Sequence, residues 1–189
     1  MAPGLWLVFQ FSSTDSLIDK IIRLRTDSDI SHVDAVTDYN EFLLGAQLSK
    51  LPSFGAFLDA SKLVNASGVQ VRPEDYETFT KIIRVAVPVT AEQNTAFWAF
   101  LQSQLGKRYD VGAIFGLAFH RNWRDPSKWF CSELQAAALE TAGVLKVATE
   151  LNWVDPQTLL LLICALPGAQ QQIVDLNQYK NSLKEAAAQ

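Results

Sequence analysis

The sequence is short of the residues that most chemistries need. Cysteine and histidine each occur only twice in 189 residues. Two cysteines are too few for a disulfide framework. Spread along the chain, the four residues match no zinc spacing, so no metal or other cofactor is expected. Charged residues make up 19% and the net charge is −4, which lacks the basic footprint of a nucleic-acid binder. The longest apolar run, Leu159 to Leu166, is far too short to span a bilayer. At the amino terminus no basic region precedes an apolar core. Leu5-Trp6-Leu7-Val8-Phe9 passes at once into Gln10-Phe11-Ser12-Ser13, which reads as a strand and not as a signal peptide. The default expectation is a soluble, cytoplasmic protein. No repeat, low-complexity block or composition shift marks a boundary, so residues 1–189 are expected to form one domain.

Apolar residues, at 49%, are plentiful enough for a core. Leu5 to Phe11 reads as a buried strand. Thr14 or Asp15 offers a cap for a helix with apolar positions Leu17, Ile18, Ile21, Ile22 and Leu24. Ile30 to Thr37 and Glu41 to Leu48 read as a hairpin turning at Asp38-Tyr39-Asn40. Residues 49–67 read as an irregular excursion, followed by a short strand from Gly68 to Arg72. Lys81 to Val89, rich in β-branched residues, is the clearest strand. Thr90 and Gln93 form a capping-box pattern for a helix that ends at Gly106. A second helix is expected over Asp110 to Phe119, and a loop then leads to a helix from Cys131 to Ala142, stopped by Gly143. Asp155-Pro156 is a cap and first-turn pair for a helix from Gln157 to Leu166. Strands crowd the first half and helices the second. This is the α+β pattern, a small antiparallel sheet packed against helices, with a C-terminal helical extension over 150–189.

Cys131 is the first chemical candidate. It stands at a helix start in Trp129-Phe130-Cys131-Ser132-Glu133-Leu134, where unpaired N–H groups and the helix dipole favour the nucleophilic thiolate. Cys164, inside a leucine-rich run, reads as core packing. His32 begins a strand on which alternation puts His32, Asp34 and Val36 on one face, and it is the natural general base for Cys131. His120, near a helix end, is the competing base. Tyr109, just before a helix, is a candidate donor to a developing oxyanion beside the Cys131 N–H. Trp123 and Trp129 are candidates to wall a pocket.

The order Ser31-His32-Val33, Leu44-Gly45-Ala46, Gly106-Lys107-Arg108-Tyr109-Asp110 and Phe130-Cys131-Ser132-Glu133-Leu134 resembles the circularly permuted branch of the NlpC/P60 papain-like superfamily, the YiiX/YebB-like cysteine hydrolases. In that branch the histidine strand precedes the cysteine helix, as it does here, and the resemblance covers roughly residues 4–145. It implies a permuted papain-like fold in which Cys131 is the nucleophile, His32 the base and Tyr109 a support near the oxyanion. The family's third member is a polar residue on the next strand, just before an alanine. Glycine, Gly45, stands in that place. Gln47, two residues on, is the favoured substitute, with Asp34 or no third member as the alternatives. Ser31, Asp34, Trp129 and Glu133, which flank these residues, are expected to contact substrate. The expected activity is an amidase- or peptidase-like hydrolysis through an acyl-enzyme. The substrate would be a peptide, a peptidoglycan fragment or a lipid, and delivery by a phage would suit the cell-wall case. The alternatives are a non-catalytic binding or assembly module, supported by Gly45, and a lipid acyltransferase or thioesterase.

Overall fold

The computed structural model describes residues 5–37, 42–48, 67–110, 125 and 127–186. The turn at 38–40, most of the excursion at 49–67, residues 111–119 of the helix expected from Asp110, His120 and Trp123 lie outside the described residues.

Strand β1 (Leu5–Ser13) is central because both its faces are apolar enough or hydrogen-bonded enough to leave water. It pairs antiparallel with β2 (His32–Val36) on one side and β5 (Lys81–Val89) on the other. With β3 (Phe42–Gln47), β4 (Gly68–Pro73) and β8 (Gln170–Ile173), the sheet runs β4-β3-β2-β1-β5-β8 and every pairing is antiparallel. One face sends Phe9, Phe11, Val33, Ala35 and Val85 into the core, all fully buried. Helices cover that face: α2 (Ala91–Ser103), α3 (Cys131–Thr141) and α4 (Pro156–Cys164). Phe9 meets Phe97 of α2 edge-on, with ring centroids 5.6 Å apart, a favoured aromatic geometry.

The other face carries a buried polar cluster among apolar residues such as Val36 and Ile82. Register places Gln10 opposite Asp34 and Arg84, and Ser12 opposite His32. The loop that follows β4 reaches this face: Tyr76 bonds Asp34 and Glu74 forms an ion pair with Arg84. Tyr179 of the last helix, α5 (Leu176–Ala186), donates to the Glu74 carbonyl at 2.9 Å. A short parallel ribbon of β6 (Arg108–Tyr109) and β7 (Lys128–Trp129) leads the chain into α3.

Several expectations need correction. Helix α1 (Leu17–Thr26) is capped by Ser16, whose side chain accepts from the Asp19 N–H; neither Thr14 nor Asp15 is the cap. Leu24, placed on its apolar face, is 86% exposed. The C-terminal extension is not wholly helical: β8 adds a sixth strand beside β5, with Ile173 opposite Ile83. Cys164 packs against the core only in part: it lies half-buried at the last turn of α4, with its Sγ 3.5 Å from Gln171 Oε1. Among the described residues no helix is long and apolar enough to cross a membrane.

Candidate functional site

Helix α3 starts at Cys131 because Phe130 is extended (φ −88°, ψ 154°) and the backbone turns helical immediately after it. Phe130 supplies no side-chain cap. The first-turn N–H groups, which have no intrahelical acceptors, therefore cluster at the Cys131 end. Two polar side chains fix the helix. Ser132 Oγ donates to the Val154 carbonyl at 2.6 Å, and Gln135 Nε2 donates to the Leu44 carbonyl of β3 at 2.9 Å. The Cys131 sulfur is thereby placed with its residue fully buried.

His32 begins β2 and is 7% exposed. Its Nε2 lies 3.0 Å from Asp34 Oδ2. Residues two apart on a strand share a face, so the Asp34 carboxylate can bend back to the ring of its own strand neighbour. Burial acts against the imidazolium, but the Asp34 carboxylate and the nearby Cys131 sulfur outweigh it. Both act through charge and a hydrogen bond, and together they hold the His32 pKa well above its ordinary value. With Nε2 given to Asp34, Nδ1 is the nitrogen left for Cys131. For Asp34, burial is opposed by the His32 ring, the Arg72 charge and the Tyr76 hydroxyl, and its pKa is lowered.

Gly45 explains how the carboxylate fits. A β-carbon at this position would collide with Asp34 Oδ1 and lie 2.9 Å from its Cγ. The volume where a side chain of β3 would project is filled from β2. Arg72 closes the arrangement from behind, donating to the Gly45 carbonyl at 3.0 Å and the Gly68 carbonyl at 2.8 Å.

A cleft of about 250 Å³ opens over His32. Its wall includes Ser31, Gln47, Tyr76 and Tyr109, with Asp19 and Glu77 among the residues at its edge. Tyr109 reaches it from β6 and packs edge-on against Phe130, ring centroids 5.9 Å apart. Burial, and then the charge of Cys131, push the Tyr109 pKa well up, so its hydroxyl keeps its proton.

Of the residues expected from sequence, the structure therefore gathers Cys131, His32, Asp34 and Tyr109, with Ser31 and Gln47 in the cleft wall. The place expected for Gln47, beside the imidazole, is held by Asp34. Asp34 is itself 1% exposed and turned to His32, and it is not among the residues that line the cleft. Trp129 and Glu133 do not line the cleft. Trp129 is buried, its Nε1 donating to Gln104 Oε1 at 3.0 Å, and Glu133 is fully enclosed in α3. Each is followed by a buried apolar residue, Phe130 after Trp129 and Leu134 after Glu133. Sequence reading missed Tyr76 and Arg72. The available signal was Gly45 itself, a missing side chain next to an i, i+2 His-Asp pair.

No protein-family model matches this sequence, and no curated protein matches it. Five chains of known structure do. One is the crystal structure of the metalloprotein YiiX from Escherichia coli O157:H7. It is 16% identical and superposes with a TM-score of 0.54, covering 91% of this chain and 98% of that chain. At such low identity the likeness speaks to architecture, and the chain has a YiiX-like α+β fold.

Proposed function

We propose that this protein is a cysteine-dependent hydrolase with Cys131 as nucleophile, His32 as base and Asp34 as the group that orients the base. The observation that carries the reading is the 3.0 Å contact of His32 Nε2 with Asp34, on an imidazole whose charged form is also favoured by Cys131. In the first step His32 Nδ1 takes the thiol proton and Sγ attacks the carbonyl of an amide, ester or thioester. The oxyanion forms beside the Cys131 N–H and the Tyr109 hydroxyl. His32 returns the proton to the departing amine, alcohol or thiol, leaving an acyl-thioester. Water, deprotonated by the same ring, then releases the acid and restores the thiol. Because Cys131 is fully buried, a substrate in the cleft reaches the sulfur only when the wall at His32 and Tyr109 shifts.

Two rival readings lose support. A binding module was favoured by the loss of the third member at Gly45, yet that glycine makes room for Asp34. A metal centre, suggested by the description of the YiiX structure, fits poorly. The described residues contain no group of three or more His, Cys, Asp or Glu suited to a metal.

The experiment is alkylation by iodoacetamide across pH, followed peptide by peptide. Cys164 serves as the internal reference, since burial raises its pKa and it has no imidazole partner among the described residues. The His32→Ala variant should slow Cys131 by about tenfold or more, in keeping with the loss of a general base, and leave Cys164 unchanged. Equal Cys131 rates with and without His32 would sink the reading, as would ester hydrolysis undiminished in Cys131→Ala.

A further inference from the structure

Asp34 carries its own support, and that support comes from a loop. Its Oδ2 receives two hydrogen bonds, from His32 Nε2 at 3.0 Å and from the Tyr76 hydroxyl at 2.9 Å. Its Oδ1 is buried and has no hydrogen-bond partner among the described residues. Arg72 lends charge, while its guanidinium donates to the carbonyls of Gly45, Gly68 and Gln70. Tyr76 is therefore the donor that fixes the rotation of the carboxylate independently of the ring the carboxylate has to hold.

Tyr76 is built for that task. Phe79 meets its ring edge-on with centroids 5.6 Å apart, and the Arg72 guanidinium sits over it, 5.7 Å from the centroid. The loop is tied down at both ends: Glu74 pairs with Arg84 and accepts from Tyr179, and the Thr80 N–H donates to the Ser13 carbonyl at 2.8 Å. Tyr76 also lines the cleft, so one side chain faces the substrate space and the Asp34 carboxylate at once.

We propose that Tyr76 is a positioning residue of the Cys131–His32–Asp34 site, delivered by the loop that Glu74, Arg84 and Tyr179 anchor, an inference that rests on the hydrolase reading above. It acts through Asp34, so its contribution vanishes when Asp34 can no longer accept as a carboxylate. In a network of this kind the coupling, and not the single deletion, identifies the role.

The test is a double-mutant cycle on the rate of Cys131 alkylation. Tyr76→Phe should slow Cys131 about fivefold, the factor expected for one ordinary hydrogen bond. The same substitution in an Asp34→Asn background should change nothing further. Unchanged alkylation in Tyr76→Phe overturns the proposal. So does a fivefold loss that persists beside Asp34→Asn, since that outcome assigns Tyr76 to the cleft wall alone. A second measurement needs no variant. In the unaltered protein the His32 Nε2 proton should appear as a low-field NMR signal with a cross-peak to a slowly exchanging Tyr76 hydroxyl proton, and its absence overturns the proposal equally. If His32→Ala fails to slow Cys131, the hydrolase reading fails; if it does slow Cys131 and Tyr76→Phe does not, this inference alone fails.

Discussion

Gly45 and Asp34 occupy one volume between β2 and β3, and only one of them can have a side chain there. Gly45→Ala forces a β-carbon against Asp34 Oδ1. The carboxylate must rotate away from His32 or the strands must part. Either response costs about 1–3 kcal/mol, the usual range for overpacking a filled site. The expected result is a lower midpoint in urea together with slower Cys131 alkylation. A stable Gly45→Ala protein with undiminished Cys131 reactivity would show that Asp34 does not need the space. At this scale the meeting of Cys131 and His32 was legible because cysteine and histidine are so scarce in the chain. The orienting group was harder to read. Strand alternation puts Asp34 on the right face, but whether it lies alongside the ring or turns back to Nε2 depends on the neighbouring strand. Tyr76 was illegible for the same reason, since the residue it supports is 42 positions away.

The caps of α2 and α4, each a contact three residues apart, were read well, whereas the Ser16 cap of α1 was not and α2 ends at Ser103, short of Gly106. The Thr90 capping box is present, with the Gln93 N–H donating to Thr90 Oγ1 at 3.2 Å and the Thr90 N–H to Gln93 Oε1 at 3.0 Å. Asp155 caps α4, accepting from the Thr158 N–H at 2.8 Å, and Pro156 takes the first turn. Strand β8 is the contrast. Gln170-Gln171-Gln172-Ile173 has neither alternation nor β-branched character until its last residue, and it is a strand because β5 offers an open edge. The local cap therefore yields a local prediction. Asp155→Ala removes the acceptor for the Thr158 N–H and should cost about 1 kcal/mol of stability. Because Leu159 and Ile163 of α4 are fully buried in the core, the loss should appear as a shift of the whole urea transition. An unchanged midpoint would mean that water replaces the cap at no cost.

Across the whole molecule the sheet separates two kinds of interior, an apolar layer beneath the helices and, on the opposite face, a layer in which His32, Asp34, Gln10 and Arg84 form a polar cluster among apolar residues such as Val36 and Ile82. Burying charge is costly unless each group is paired. The pairing of His32 with Asp34 therefore makes overall stability depend on pH in a defined window. His32 is held above its free value, so its contribution is whole below about pH 6.5 and is lost as pH rises through the folded-state value. Asp34 is held below its free value, so its contribution is whole above about pH 4 and is lost as pH falls through the folded-state value. Both are complete only between about pH 4 and 6.5. The melting temperature of Asp34→Asn should accordingly fall furthest below that of the unaltered protein inside this interval, and the gap should narrow on either side. Asn is nearly the size of Asp, so a packing defect would instead give a gap of constant size. A difference that stays flat from acid to alkaline pH would assign Asp34 a steric role and remove the charge pair from the account of what holds His32 in place.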